Sequence, residues 1–188
     1  MTLRWIRRVT TWAVVGLVTS SGTWYALSFL PHLYELQAIA ARGNASVSRV
    51  EKVLYQLATA GESKEAIRSW AVRQAYWSLV YENSRGGMLG WHANNLLWNL
   101  ASRVHLNERE VFGLWVQCAI SQCGYGLTAA SPKYFGKDLS ELSERELARL
   151  VATVRSPTKY APAASVERNA RTRYWKRQGL LTRALNDW

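Results

Sequence analysis

Residues 107–162 read NEREVFGLWVQCAISQCGYGLTAASPKYFGKDLSELSERELARLVATVRSPTKYAP, and this stretch decides the fold. Asn107 followed three residues later by Glu110 has the form of a capping box: the Asn side chain accepts from an orphan backbone N–H while the Glu reaches back. Val111, Leu114, Trp115 and Cys118 then recur at helical spacing on one face. Ser143 with Glu146 repeats the device, and Leu147, Leu150, Val151 and Val154 form the next stripe, with Pro157 as the stop. Between the two helices, Gly124-Tyr125-Gly126 supplies a backbone corner, residues 127–135 read as a short helix, and Gly136 is suited to the left-handed cap.

Working outward, residues 92–104 are again helical, with Leu96, Leu97, Trp98 and Leu100 apolar and Arg103 exposed. Residues 46–60 carry Val47, Val50, Val53, Leu54 and Leu57 at helical spacing, with Gly61 as the stop. Ser63 opens another helix whose Ile67, Trp70, Ala71 and Leu79 point inward, until residues 82–87 break it. Strand-like alternation persists nowhere. The expected fold is all-α.

At the start of the chain, Arg4, Arg7 and Arg8 precede an uncharged run over residues 9–34. At ~1.5 Å per residue, about twenty apolar residues cross a bilayer core. The run is longer than that, and the arginines before it set an N-in orientation, with Trp5, Trp24 and Tyr25 as interface markers. It reads as an uncleaved single-pass anchor rather than a signal peptide, being long for one and poor in cleavage signal around Tyr25-Ala26-Leu27-Ser28. A buried soluble helix fits neither its length nor its basic flank. The expected organisation is an anchor over residues 1–34 and a helical domain over residues 35–188.

The chain of 188 residues is 48% hydrophobic with ten tryptophans, a composition that excludes disorder. Its net charge of +11 suits nucleic acid, anionic headgroups or a diphosphate substrate equally. No zinc-ligand spacing, Gly-rich phosphate loop or RNA-binding aromatic motif accompanies the charge, so no nucleic-acid partner is expected. Cys118 and Cys123, the two cysteines, are read as unpaired buried thiols, because residues five apart share no helix face and pairing needs the helix to end between them. No metal site is expected from so few Cys and His. After Pro162, Ser165 opens a basic helix with Arg168, Arg171, Arg173, Lys176 and Arg177 around Tyr174 and Trp175. It reads as a solvated face, with contact to anionic headgroups as the alternative.

The order Glu110-Val111-Phe112-Gly113-Leu114-Trp115-Val116-Gln117, Gly-Tyr-Gly, Ala129-Ala130, Tyr134-Phe135-Gly136-Lys137, Leu139-Ser140-Glu141-Leu142 and Glu146-Leu147-Ala148 through Pro157 resembles the fourth and fifth motifs of family 51 glycosyltransferases. These are the peptidoglycan transglycosylases that polymerise lipid II. The resemblance covers less than half of the chain and implies a lysozyme-like helical domain outside the cytoplasmic membrane. It also implies a lipid-linked precursor or glycan strand as ligand, other cell-wall synthesis proteins as partners, and no cofactor beyond an optional divalent cation at the diphosphate. Lys137, carried by the match, reads as structural or rim-facing.

In that family a sugar hydroxyl attacks an anomeric carbon as a lipid diphosphate leaves, so a carboxylate must take the proton and cations must meet the leaving group. The family uses one Glu in an E-D-x-x-F-x-x-H-x-G motif and a second in an R-K-x-x-E motif. An ungapped count puts the second at Asn95, which cannot carry a carboxylate's charge. Two placements of the upstream motifs stay open. Glu82-Asn83 stands for the Glu-Asp pair with His92 near the motif His, or residues 85–97 match the G-G-S-T-I-T-Q-Q-x-A-K-N-L-F run with its Ser, Thr and Gln lost. Glu82 is the candidate base, with Arg85 and His92 as candidate substrate contacts. The alternative is a member of the family that has lost its chemistry and serves as a glycan-binding or protein-docking module.

Overall fold

The computed structural model describes residues 2–82, 87–120 and 126–154, and every regular element among them is helical. The order is α1 (Thr2–Trp24), a π-helical turn (Tyr25–Phe29), α2 (Leu30–Ser46), α3 (Glu51–Gly61), α4 (Lys64–Tyr76), a second π-helical turn (Trp77–Tyr81) and α5 (Met88–His105). Then come α6 (Glu108–Cys118), α7 (Leu127–Phe135), a 3-10 turn (Leu139–Glu141) and α8 (Glu144–Thr153). The expected all-α class holds. Pro157 and the basic segment after Ser165 lie outside the described residues.

The chain separates into two compact units, Met1–Glu35 and Leu36–Trp188. In the first, Trp12, Val14, Leu17, Val18 and Leu27 stand exposed, so the unit has an apolar outside. Water would not tolerate such a surface, whereas hydrocarbon would. The run from Trp5 to Ser46 is helical throughout and includes a stretch long and apolar enough to cross a membrane.

In the second unit α6 is the axis. The capping box forms as read: Asn107 Oδ1 accepts from the Glu110 N–H at 2.9 Å, and Glu110 Oε2 accepts from the Asn107 N–H at 2.8 Å. From there every residue from Val111 to Val116 is buried, on all sides of the helix rather than along one stripe. Helix α4 packs along α6 on one side and α7 on another; α5 lies on α4, and α8 closes against α3 and α7. Trp70 Nε1 donates to the Ala119 carbonyl at 2.7 Å, tying α4 to the far end of α6.

Helix α2 crosses α6 where two glycines meet. A Cβ at Gly43 would collide with the Gly113 carbonyl, and one at Gly113 with the Ala40 carbonyl. The backbones touch here because neither residue has a side chain. Ser46 Oγ donates to the Gly43 carbonyl at 2.7 Å as α2 ends. The helix read from residue 46 therefore starts at Glu51, after a turn in which Val47 is fully buried.

Ser63 caps α4 by accepting from the Ala66 N–H at 3.1 Å. Arg68 Nη1 donates to the Ser102 and Leu106 carbonyls at 3.1 and 3.3 Å, satisfying the last turn of α5 and complementing its dipole. Gly136 takes the left-handed conformation at φ 65°, with its N–H on the Pro132 carbonyl at 2.9 Å. Ser131, fully buried, donates to the Lys137 carbonyl at 2.8 Å and closes the same corner.

One expectation is overturned. Cys118 is disulfide-bonded rather than a free thiol; the one other cysteine of the sequence, Cys123, lies outside the described residues. The objection to pairing assumed a helix running on past Cys118, and α6 stops at that residue. Gly126 then approaches so closely that a Cβ there would strike the Val116 carbonyl.

Glu146 makes the second capping box sensitive to acid. Its Oε2 accepts from the Ser143 N–H at 2.9 Å and Oε1 pairs with Lys137 Nζ at 2.9 Å. Lys137 first, and the Ser143 groups second, hold its pKa down from 4.5 to about 2. A carboxylate depressed on folding stabilises the fold above its unfolded pKa and loses that contribution as pH falls toward the folded one. Helix α8 is therefore expected to loosen between about pH 4.5 and 2, read by hydrogen exchange of its first turn. Glu146→Gln should remove that acid sensitivity while costing about 1 kcal/mol at neutral pH.

Candidate functional site

The sequence places Ser48 and Arg49 in the turn after α2, Glu51, Lys52 and Tyr55 on the next turns of α3, Lys64 at the start of α4, and Glu108, Arg109 and Phe112 on the first turns of α6. These residues line one open groove of about 660 Å³. It carries four cations, Arg49, Lys52, Lys64 and Arg109, against two carboxylates, Glu51 and Glu108, which leaves a net positive rim.

Both carboxylates are engaged. Lys64 Nζ donates to Glu108 at 2.9 and 3.2 Å, and Arg109 Nη2 meets Glu51 Oε2 at 3.2 Å. The Tyr55 hydroxyl stands 3.5 Å from Glu108 Oε2, and its ring meets Phe112 edge-on with centroids 5.2 Å apart. Phe112 stacks in turn on Trp115, so the half-buried Tyr55 ring rests on a rigid aromatic floor. A second, smaller cavity of about 90 Å³ lies behind the groove and shares Tyr55, Lys64, Glu108 and Phe112 with it.

The Lys64 hydrogen bond holds the pKa of Glu108 below its ordinary value, and Glu108 raises that of Lys64. Both groups stay charged at neutral pH. A carboxylate made less basic is a poor proton acceptor in catalysis but a good hydrogen-bond acceptor for hydroxyls. A charged rim over an aromatic platform presents a ligand with acceptors, donors and a ring face.

The residues singled out from sequence lie elsewhere. Glu82 is exposed in the turn after Tyr81, and His92 is exposed on α5, its ring edge-on to Trp91 at 4.6 Å. Neither lines the groove or the smaller cavity. Arg85 lies outside the described residues. Asn95, where the count placed the second carboxylate, accepts at Oδ1 from Asn99 Nδ2 at 3.2 Å within its own helix. Lys137 is tied to Glu146. The groove residues escaped the sequence reading because their partners are 44 to 58 residues apart, as in Lys64–Glu108 and Arg109–Glu51. No local spacing marks them.

Among the described residues no three His, Cys, Asp or Glu side chains converge to hold a metal ion. The two carboxylates of the groove are each paired with a cation.

Residues 93–183, just under half of the chain, match the transglycosylase family. Among curated proteins, penicillin-binding protein 1A of Pseudomonas aeruginosa is 29% identical over 83 residues. Those residues are 44% of this chain and 10% of that protein, so the chain spans about a tenth of the relative's length. No solved structure matches the chain. The family match starts downstream of Glu82, Arg85 and His92. It takes in α6 to α8 whole and most of α5.

Proposed function

We propose that this protein is a membrane-anchored, transglycosylase-related module of cell-wall synthesis that binds a lipid-linked peptidoglycan precursor or a glycan strand in the groove between α3, α4 and α6. The observation that carries the reading is the groove itself, with cations in excess and Tyr55 as a ring platform. The transglycosylase match of residues 93–183 supports a glycan or its lipid-linked precursor as the ligand. An anionic group on the ligand would meet Arg49, Lys52 and Arg109, while sugar hydroxyls would donate to Glu51 and Glu108.

The apolar helix α1 supports the membrane anchor, and Arg4, Arg7 and Arg8 in its first turns favour N-in. The disulfide at Cys118 supports a domain on the oxidising, periplasmic or extracellular side. The relative's name, a penicillin-binding protein, is consistent with other cell-wall synthesis proteins as partners.

The test is binding of labelled lipid II to the full chain in nanodiscs. Tyr55→Ala and Arg109→Ala should each weaken binding about tenfold, the loss of a stacked ring or a charge-assisted contact. Glu82→Gln should leave it unchanged. Polymer formed by the unmodified chain and abolished in Glu82→Gln would replace this reading with an enzyme in which Glu82 is the base.

A further inference from the structure

Arg109 and Glu51 both line the groove, and their contact joins the first turn of α6 to the first turn of α3. Among the described residues Arg109 makes a single hydrogen bond, from Nη2 to Glu51 Oε2 at 3.2 Å. Lys64 and Glu108 are held more closely, with one ammonium on both carboxylate oxygens at 2.9 and 3.2 Å and the Tyr55 hydroxyl beside them. Of the two pairs, Arg109–Glu51 is the one built to open.

Opening it leaves the helices where they are. Leu54 and Leu57 are fully buried and the Tyr55 ring lies against Phe112, so α3 stays packed when Arg109 turns away. The Arg109 side chain is 69% exposed and has room to change rotamer. A guanidinium presents its N–H groups as a planar fork that matches two oxygens of a phosphate, and Glu51 takes only one of them. A phosphate therefore offers Arg109 a better partner than the one it has. Glu51 sets a cost all the same. While its carboxylate stays on Arg109 it repels an approaching anion, and the dipole of α3 favours a negative charge at that first turn.

On the reading of the groove as the ligand site, we infer that Glu51 is an internal competitor: its carboxylate holds Arg109 until the diphosphate of a ligand displaces it, and so lowers the affinity of the groove for anions. Released from Arg109, Glu51 is left to accept from a sugar hydroxyl, so the exchange selects a ligand that carries both groups. A sugar without phosphate leaves the pair closed.

The test is calorimetric titration of inorganic pyrophosphate onto the full chain in nanodiscs of neutral phospholipid. Pyrophosphate carries the charge without the sugar, so losing an acceptor at Glu51 does not offset the gain. Glu51→Gln should tighten binding about two- to fivefold, the worth of an exposed ion pair. Arg109→Ala should weaken it about tenfold. In the Arg109→Ala background Glu51→Gln should have no further effect, because the cation it competes for is gone. Glu144→Gln, which removes the same charge from exposed α8, should leave binding as it is. Circular dichroism verifies the fold of each variant.

Failure of the chain to bind pyrophosphate would overturn the inference, as would Glu51→Gln binding it no tighter. Equal tightening with and without Arg109 would overturn it too, by showing that Glu51 only repels at a distance. Nanodiscs with about one quarter anionic phospholipid separate the two sources of phosphate. Loss of the tightening there would assign Arg109 to headgroups and overturn the place given to a diphosphate. Competition with labelled lipid II keeps the inference apart from the reading it rests on. Displacement of lipid II by pyrophosphate supports both, whereas tightening in Glu51→Gln without displacement supports the competitor and removes lipid II from the groove.

Discussion

Gly113→Ala is expected to destabilise the helical domain by about 3 kcal/mol, at the upper end for overpacking. The reason is that the new methyl group has nowhere to go. It would strike the Ala40 carbonyl and the Asn44 side chain, and the first of these is backbone in the middle of α2. A side chain yields by changing rotamer, but a helix backbone yields only by moving the helix. Displacing α2 would separate it from α6, which is buried on every side. Gly43→Ala makes the same collision from the other helix, against Gly113 itself, and should cost as much. For a domain of this size, about 3 kcal/mol lowers the melting temperature by roughly 6–12 °C, measured by circular dichroism. Gly90→Ala is the control: its added methyl meets nothing, and alanine is the better helix former. An unchanged melting temperature in both Gly43→Ala and Gly113→Ala would show that the two helices do not touch as described.

Leu17→Arg together with Val18→Asp is expected to release the protein from membranes. Both residues stand exposed on α1, and neither contributes to a packed core. In water their replacement would be harmless; at the centre of a spanning helix each charge costs about 2.5–3.5 kcal/mol. The pair therefore costs about 5–7 kcal/mol, enough to reverse insertion. Extraction at alkaline pH reads the outcome: the unmodified chain stays in the pellet and the double variant appears in the supernatant. Retention of the variant would mean that the first unit is not the anchor.

The parts of the fold that the sequence made legible are those whose causes are local. Asn107 with Glu110 and Ser143 with Glu146 form their boxes three residues apart, and Gly136 supplies a backbone conformation that side-chain-bearing residues avoid. What the sequence hid depends on tertiary contact. Gly43 and Gly113 look like unremarkable helix glycines until the two helices are laid across each other. Val111, Leu114, Trp115 and Cys118 read as one apolar stripe, yet the whole circumference from Val111 to Val116 is covered, because α4, α7 and the α2 crossing surround it. Leu96, Trp98 and Leu100 read alike as apolar helix positions, and only the structure shows the two leucines turned outward while Trp98 turns in.

The candidate site divides in the same way. Glu82 reads as a candidate base from its neighbours, as a carboxylate beside a glycine-rich turn; it is exposed and does not line the groove. The groove draws its charges from three helices and one turn, and its ion pairs bridge residues more than forty apart. A family resemblance confined to residues downstream of position 92 does not reach Arg49, Lys52, Tyr55 or Lys64.

The most direct measurement is titration of labelled lipid II onto the full chain in nanodiscs, read by anisotropy and followed by gel analysis for polymer. Saturable binding that weakens about tenfold in Tyr55→Ala and in Arg109→Ala, with no polymer formed, is the result expected of a groove that holds its ligand without reacting it. Binding that is absent, or that is indifferent to both substitutions, would contradict the account.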